Sequence, residues 1–117
     1  MLKVFVCAAI FTGMALPSAV ASNANLQQGQ ILYNEHCSGC HLRDGAGGIK
    51  MDHSVSADLR APGLEETYRQ STVLLSRAIL QARDEDGERL DQPMPAWQGR
   101  LSQQQVLDII AYLKTLK

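Results

Sequence analysis

The chain has 117 residues and a formal net charge of −1 at pH 7, with 11 lysine and arginine residues against 12 aspartate and glutamate. This near-neutral balance argues against nucleic acid or an anionic membrane surface as a partner. The length fits one domain, and an aromatic content of 5% predicts a modest core.

The first 21 residues have the pattern of an export signal. Lys3 supplies the positive charge, residues 4–16 form an apolar run, and Ala19-Val20-Ala21 is a small-residue cleavage site. The apolar run is shorter than the roughly 20 residues that cross a bilayer as a helix, so we expect no membrane anchor. The sequence therefore predicts a signal peptide over 1–21 and a periplasmic domain over 22–117.

The predicted domain begins with a helix. Asn25 and Gln28 have the spacing of an N-cap and its partner, and they predict a helix from about Leu26 to Glu35. Gly29 lies inside this helix, where glycine costs roughly 1 kcal/mol relative to alanine. That position indicates either a weak helix or the close approach of another backbone.

The segment Cys37-Ser38-Gly39-Cys40-His41 follows this helix directly. The C-x-x-C-H spacing is typical of c-type haem attachment, in which both thiols bond the haem edge and the histidine binds the iron. We therefore expect one haem c, held covalently by Cys37 and Cys40, with His41 as the proximal ligand. Cys7 would leave with the signal peptide, so no spare thiol would remain.

The cysteine pair has three other interpretations. A thioredoxin-like redox pair follows a strand, and no strand pattern precedes Cys37. A closed zinc site needs four ligands, for which His36 and His53 are the further candidates. A disulfide between Cys37 and Cys40 would suit an oxidising compartment. The complete C-x-x-C-H string favours haem attachment over these alternatives.

The middle of the chain alternates loops and helices. Residues 43–48 are glycine-rich and predict a loop, and residues 64–70 predict a short helix. Ser71 caps a clearer helix. Its apolar residues recur at three- and four-residue steps: Leu74, Leu75, Ala78, Ile79 and Ala82. The acidic segment 84–88 contains Gly87 and predicts a solvated loop.

The last helix has the most complete sequence signals. Ser102 and Gln105 form a capping box, and Leu101 and Val106 have the positions of a hydrophobic staple. An apolar stripe follows along one side, made of Val106, Ile109, Ile110, Leu113 and Leu116. Since the predicted elements are all helices, we expect an all-α fold.

Pro93-Met94-Pro95 presents a thioether on a stiff loop, because two prolines fix the backbone and exclude a helix interior. A lone methionine is commonly a core residue that fills gaps. Met51 is the other methionine of the predicted mature chain. Given a haem on His41, we expect Met94 as the second axial ligand, because His/Met ligation is an established pairing that raises the reduction potential.

Three segments together indicate a family: the Gly29-bearing helix that runs into C-S-G-C-H, M-P-A-W at Met94 to Trp97, and I-I-A-Y-L-K at Ile109 to Lys114. In these segments the chain resembles a class I monohaem c-type cytochrome over essentially all of residues 22–117. The resemblance implies three to five helices wrapped around one covalently bound haem, with the first and last helices crossing. The crossing residues that it implies are Gly29, Tyr33, Ile109 and Tyr112.

The resemblance also implies haem contacts beyond the iron ligands. Trp97 would pack near the haem edge and bond a propionate, with a cationic residue such as Arg60 nearby. One position departs from the family, whose members often carry a proline just before the Asp-Leu pair. The carbonyl of that proline accepts the proton of the proximal histidine Nδ1. Here Ala57 precedes Asp58-Leu59, so the sequence leaves open which carbonyl His41 bonds.

With His41 and Met94 on both axial positions, the iron would have no free site for a substrate. The sequence therefore predicts a periplasmic one-electron carrier between a protein donor and a protein acceptor, without catalysis of its own. Two alternatives are open. The chain could be the cytochrome subunit of a periplasmic dehydrogenase complex. It could also leave Met94 unbound and hold a five-coordinate haem that binds gas or peroxide, with His53 as the candidate distal histidine.

Overall fold

The computed structural model describes Gly13 and residues 24–117, so the predicted signal peptide and its cleavage site lie outside the described residues. The described chain is helical with one small antiparallel sheet. The helices are α1 Leu26–His36, α2 Ser38–His41, α3 Gly63–Thr67, α4 Thr72–Gln81 and α5 Gln103–Leu113, and the strands are β1 Lys50–Met51 and β2 Ser54–Val55. Within residues 24–117, no helix combines the length and hydropathy needed to cross a bilayer.

The predicted helix starts are confirmed by their capping bonds. The side chain of Asn25 accepts a hydrogen bond from the N–H three residues later at 3.0 Å, and Ser71 Oγ does the same at 3.1 Å. Ser102 and Gln105 form the predicted capping box, with bonds of 3.1 and 2.9 Å between side chain and backbone. These side chains satisfy N–H groups that have no partner inside the helix.

Two segments differ from the sequence prediction. The β1–β2 hairpin, with Met51 opposite Ser54, was not predicted, because two-residue strands are too short to show alternation. Helix α3 ends at Thr67, before the predicted 70, because Arg69 and Gln70 take φ values of 57° and 58°. Those left-handed values are incompatible with a continuing right-handed helix.

Helices α1 and α5 pack directly against each other at Gly29. A Cβ atom built on Gly29 would lie 2.6 Å from the carbonyl carbon of Asp108 and 3.1 Å from Tyr112 Cβ. Next to this contact the rings of Tyr33 and Tyr112 lie 5.4 Å apart between centroids. The interior glycine therefore marks the close approach of another backbone and not a weak helix.

The hydrophobic core lies between α1, α4 and α5. It contains Leu32, Tyr33, Tyr68, Leu75, Ala78, Leu101, Val106, Ile109, Ile110 and Leu113. Both residues of the predicted hydrophobic staple, Leu101 and Val106, belong to it. The core therefore uses the apolar stripe of α5 that the sequence predicts, although Leu116 lies beyond the end of that helix.

One buried carboxylate joins the two terminal helices. Asp108 is only 5% exposed, and its Oδ1 accepts hydrogen bonds from the Asn25 N–H at 2.9 Å and from Gln104 Nε2 at 3.0 Å. Buried charges are tolerated when hydrogen bonds of this kind satisfy them. Asp108 therefore joins the start of α1 to the face of α5 against which Gly29 packs.

We expect Gly29→Ala to lower the free energy of unfolding by about 2–3 kcal/mol, because the added methyl group overlaps the α5 backbone and forces the helices apart. Chemical denaturation of the purified holoprotein measures this change. Gly63→Ala is the matched control, since a Cβ on Gly63 meets nothing within 4 Å. Equal effects of the two substitutions would contradict a tight contact at Gly29.

Candidate functional site

A cleft of about 290 Å³ opens beside the end of α1. Its walls come from α1, α4, α5, the β1–β2 hairpin and the segment that contains Met94. Apolar side chains form most of the wall, among them Leu59, Leu64, Leu75, Ala78, Ile79, Leu90, Ile109 and Leu113. Cys37, Cys40, His41, Met51, Met94 and Trp97 also line it. The cleft thus gathers five of the six predicted site residues.

Cys37, Cys40 and His41 are placed on one helical turn. The N–H of Cys37 donates to the Tyr33 carbonyl at 2.8 Å and ends α1, and the N–H of His41 donates to the Cys37 carbonyl at 2.9 Å. Cys37 is half-buried, Cys40 is exposed, and both are free thiols. Two thiols and an imidazole therefore reach one side of the cleft from a single rigid turn.

Two observations at Cys37 disfavour a redox pair. Burial, and secondarily the neighbouring Cys40, raises the pKa of Cys37 to about 11, whereas reactive C-x-x-C pairs depend on a lowered thiol pKa. The segment before Cys37 is helix α1 and not a strand. Among residues 24–117, no group of three His, Cys, Asp or Glu side chains has the arrangement of metal ligands.

The carbonyl of Ala57 lies 2.8 Å from His41 Nδ1. A carbonyl oxygen can only accept, so Nδ1 carries the proton and donates it, which leaves Nε2 unprotonated in the neutral ring. An imidazole fixed in this way has the tautomer and orientation of a metal ligand. Ala57, at the position where the family often has proline, thus supplies the acceptor that the sequence left open.

Tyr33 supports the residue that follows His41. Its hydroxyl donates to the Leu42 carbonyl at 2.6 Å, and burial raises the pKa of Tyr33 well above its ordinary value, so the hydroxyl remains protonated. Leu42 has φ 65° and ψ 161°, a conformation that glycine normally adopts. The buried hydrogen bond helps to hold this strained turn, a role that the sequence did not reveal.

Met94 and Trp97 also line the cleft, and both are half-buried. The N–H of Trp97 donates to the Ile79 carbonyl at 3.0 Å, which joins this segment to α4. The Trp97 ring meets His36 edge-on at 5.0 Å, and the Arg100 guanidinium lies 4.2 Å from the ring centroid. A cation therefore stacks on Trp97, as cation–π contacts favour.

Arg60 lies outside the group of residues that lines the cleft. Its guanidinium binds the Asp58 carboxylate through two hydrogen bonds, from Nε at 3.0 Å and from Nη2 at 2.8 Å. The cation beside Trp97 is Arg100, for which the sequence predicts no role. The sequence could have indicated Arg100 by its position three residues after Trp97. The turn at Gly99 is what brings the Arg100 and Trp97 side chains together.

The family model described as cytochrome c matches residues 26–117 of this chain. The chain belongs to the cytochrome c family. The cytochrome is also similar to a solved structure, cytochrome c6C from Synechococcus sp. PCC 7002, with 22% sequence identity and a TM-score of 0.50. That likeness covers 74% of this chain and 89% of the other, and it supports the fold. No curated protein matched the cytochrome in a sequence search.

A cytochrome c domain carries electrons on covalently bound haem c, and the residues of this cytochrome fit that group. Cys37 and Cys40 are free thiols at the edge of an apolar cleft. The unprotonated nitrogen of His41 is available to iron because the Ala57 carbonyl holds the other one. Apolar walls, two thiols and one imidazole are the set of groups that a covalently attached porphyrin requires.

We expect Tyr33→Phe to destabilise the cytochrome by about 1 kcal/mol, because it removes the hydrogen bond of the buried Tyr33 side chain and leaves the Leu42 carbonyl with the Gly45 N–H alone, at 3.1 Å. Denaturant unfolding of the holoprotein measures the loss. Tyr112→Phe is the control, since among the described residues the Tyr112 hydroxyl has no hydrogen-bond partner. A Tyr33→Phe variant as stable as Tyr112→Phe would show that the bond contributes nothing.

Arg60 holds the pKa of the Asp58 carboxyl at about 2, mainly through its side-chain hydrogen bonds. The carboxylate form is favoured, so the pair persists on acidification and is lost only as the pH falls through about 2. We expect Arg60→Ala to raise this pKa toward the ordinary value of 3.8. NMR titration of the Asp58 carboxyl measures it, and an unchanged midpoint would contradict the pairing.

Proposed function

We propose that the cytochrome is a periplasmic one-electron carrier whose single haem c is ligated by His41 and Met94. The observation that carries this proposal is that both side chains line one apolar cleft, together with both attachment cysteines. With two protein ligands on the iron, no coordination position is left for a substrate. The remaining chemistry is the gain and loss of one electron.

His41 is suited to the proximal position. Its Nδ1 is bound at 2.8 Å by a backbone carbonyl, which fixes the ring plane and increases the basicity of the other nitrogen. The acceptor belongs to the backbone of Ala57, so it requires no titrating partner. The ligand is therefore oriented before it meets iron.

Met94 is suited to the distal position. Pro93 and Pro95 restrict the backbone on both sides, and the thioether is half-buried on the cleft wall. A neutral, soft sulfur ligand favours the reduced iron and raises the reduction potential. Met51 also lines the cleft, from strand β1, and is the alternative thioether.

When bound, the haem supplies the ferric and ferrous couple. The chain supplies surroundings that change little between the two states. The apolar walls from α4 and α5 exclude water, and the two restrained ligand segments limit the movement of the axial groups. Trp97 lies at the cleft with Arg100 on its ring, and these two residues would supply an indole N–H and a cation to a propionate. The contribution of Arg60 to such a contact stays a prediction.

Export to the periplasm is supported by the sequence pattern over 1–21. An alternative with the same chemistry is that the cytochrome is a subunit of a periplasmic dehydrogenase complex. The two proposals differ in the partner, and purification of the native protein alone or with a large oxidoreductase distinguishes them. The five-coordinate alternative gains no support, because His53 lies in the exposed turn of the hairpin and is not among the residues that line the cleft.

We expect Met94→Leu to abolish the weak far-red absorption of an iron–thioether bond in the ferric protein and to lower the reduction potential. Axial ligands set haem potentials over a range of roughly 0.8 V, so the change is readily measured. Met51→Leu should retain both properties. The reverse pattern, with far-red absorption lost only in Met51→Leu, would assign the distal position to Met51.

A further inference from the structure

One hydrogen bond crosses from the β1–β2 hairpin to the segment that carries Met94. The hydroxyl of Ser54 donates to the backbone carbonyl of Gln92 at 2.8 Å, although the two residues are 38 positions apart in the chain. Ser54 lines the cleft from strand β2, and Gln92 lies two residues before Met94. The bond therefore joins the hairpin to the methionine segment.

The residues on either side of segment 91–96 are bonded to α4 and its C-cap, since the N–H of Leu90 donates to the Ala82 carbonyl at 2.8 Å and that of Trp97 to the Ile79 carbonyl at 3.0 Å. Few groups inside the segment bond outside it. Pro93 and Pro95 have no N–H to donate, and the N–H of Met94 makes a local bond to the Asp91 carbonyl at 3.2 Å. Among the hydrogen bonds of the described residues, the one from Ser54 is the one that ties this segment to another element. The bonds of Leu90 and Trp97 hold the two ends of the segment at α4, and the Ser54 bond adds a tie between them, two residues before Met94.

Hydrogen bonds also hold the residues that follow Ser54. The N–H of Ile49 donates to Ser56 Oγ at 2.9 Å, and the N–H of Ser56 donates to the Ile49 carbonyl at 2.9 Å. The next residue, Ala57, accepts the bond from His41 Nδ1 at 2.8 Å. Residues 54–57 thus contact the segment of one proposed axial ligand at one end and the other proposed ligand at the other end.

We propose that Ser54 is a positioning residue that holds the Met94 segment against the cleft and so opposes dissociation of the thioether from the iron. This inference rests on the proposed ligation by His41 and Met94. An added ligand such as imidazole binds the iron only in molecules from which the thioether has dissociated. Its apparent affinity therefore rises with the population of that open state.

The test compares imidazole binding to ferric holoprotein variants, followed by loss of the far-red absorption. Ser54→Ala and Ser54→Val lack the hydroxyl, and we expect each to bind imidazole about two- to tenfold more tightly than the wild type, the effect of one lost hydrogen bond. Ser54→Thr keeps the hydroxyl and nearly matches Val in shape, so we expect it to retain the wild-type affinity.

Thr115→Ala is the matched control. The Thr115 hydroxyl donates to the Tyr112 carbonyl at 2.6 Å, which is the same kind of bond at a residue outside the cleft lining. We expect its imidazole affinity to equal that of the wild type. An increase as large as in Ser54→Ala would show a general effect of lost stability and would overturn the positioning role.

Two further outcomes separate this inference from the proposal on which it rests. If the wild type shows far-red absorption that Met94→Leu abolishes, and Ser54→Ala and Ser54→Val bind imidazole as the wild type does, the role of Ser54 is overturned and Met94 ligation stands. If the wild type lacks that absorption, Met94 ligation is overturned, and the role of Ser54 fails with it.

Discussion

The contact of α1 with α5 at Gly29 is the constraint on which the rest of the structure depends. The α5 backbone occupies the space that a side chain would need, so α1 lies directly on the last helix. Asp108 fixes the start of α1 at the same place. The far end of α1, where Cys37 begins the attachment turn, is thereby set relative to Ile109 and Leu113 of α5, which form part of the cleft wall. Helix packing thus positions the haem attachment site.

Around the cleft, three side chains hydrogen-bond to backbone carbonyls, and most of the side chains that form the wall are apolar. His41 bonds the Ala57 carbonyl, Tyr33 bonds the Leu42 carbonyl, and Ser54 bonds the Gln92 carbonyl. Each bond orients a segment next to the cleft without adding a charge to it. A site with few charges and few free polar groups reorganises little when the iron changes its charge, which is what a carrier of single electrons requires.

Much of the fold and of the site could be predicted from the sequence, because the signals are local. Each helix cap, at Asn25, Ser71 and Ser102, is recognised from residues no more than three positions apart. The C-x-x-C-H motif spans five residues. The contacts that complete the site join distant residues. The acceptor for His41 is 16 positions away, and Asp108 is 83 positions from Asn25. Asp108 was missed because a polar residue in an apolar stripe gives no sign of its partner. The hairpin was missed because its strands have only two residues each.

The alanine at position 57 shows how a family feature can change without loss of its function. The bond to His41 uses the backbone carbonyl, which alanine has as well as proline, so the pyrrolidine ring adds rigidity but is not needed for the acceptor. In this chain the glycine-rich loop supplies that rigidity. Gly47, with φ 62°, lies so close to the Ala57 carbonyl carbon that an added Cβ would be 2.6 Å from it. The N–H of Gly48 donates to the Ser56 carbonyl at 2.8 Å. Because this packing restrains the backbone on either side of the peptide, Ala57 can present its carbonyl to His41 without a pyrrolidine ring.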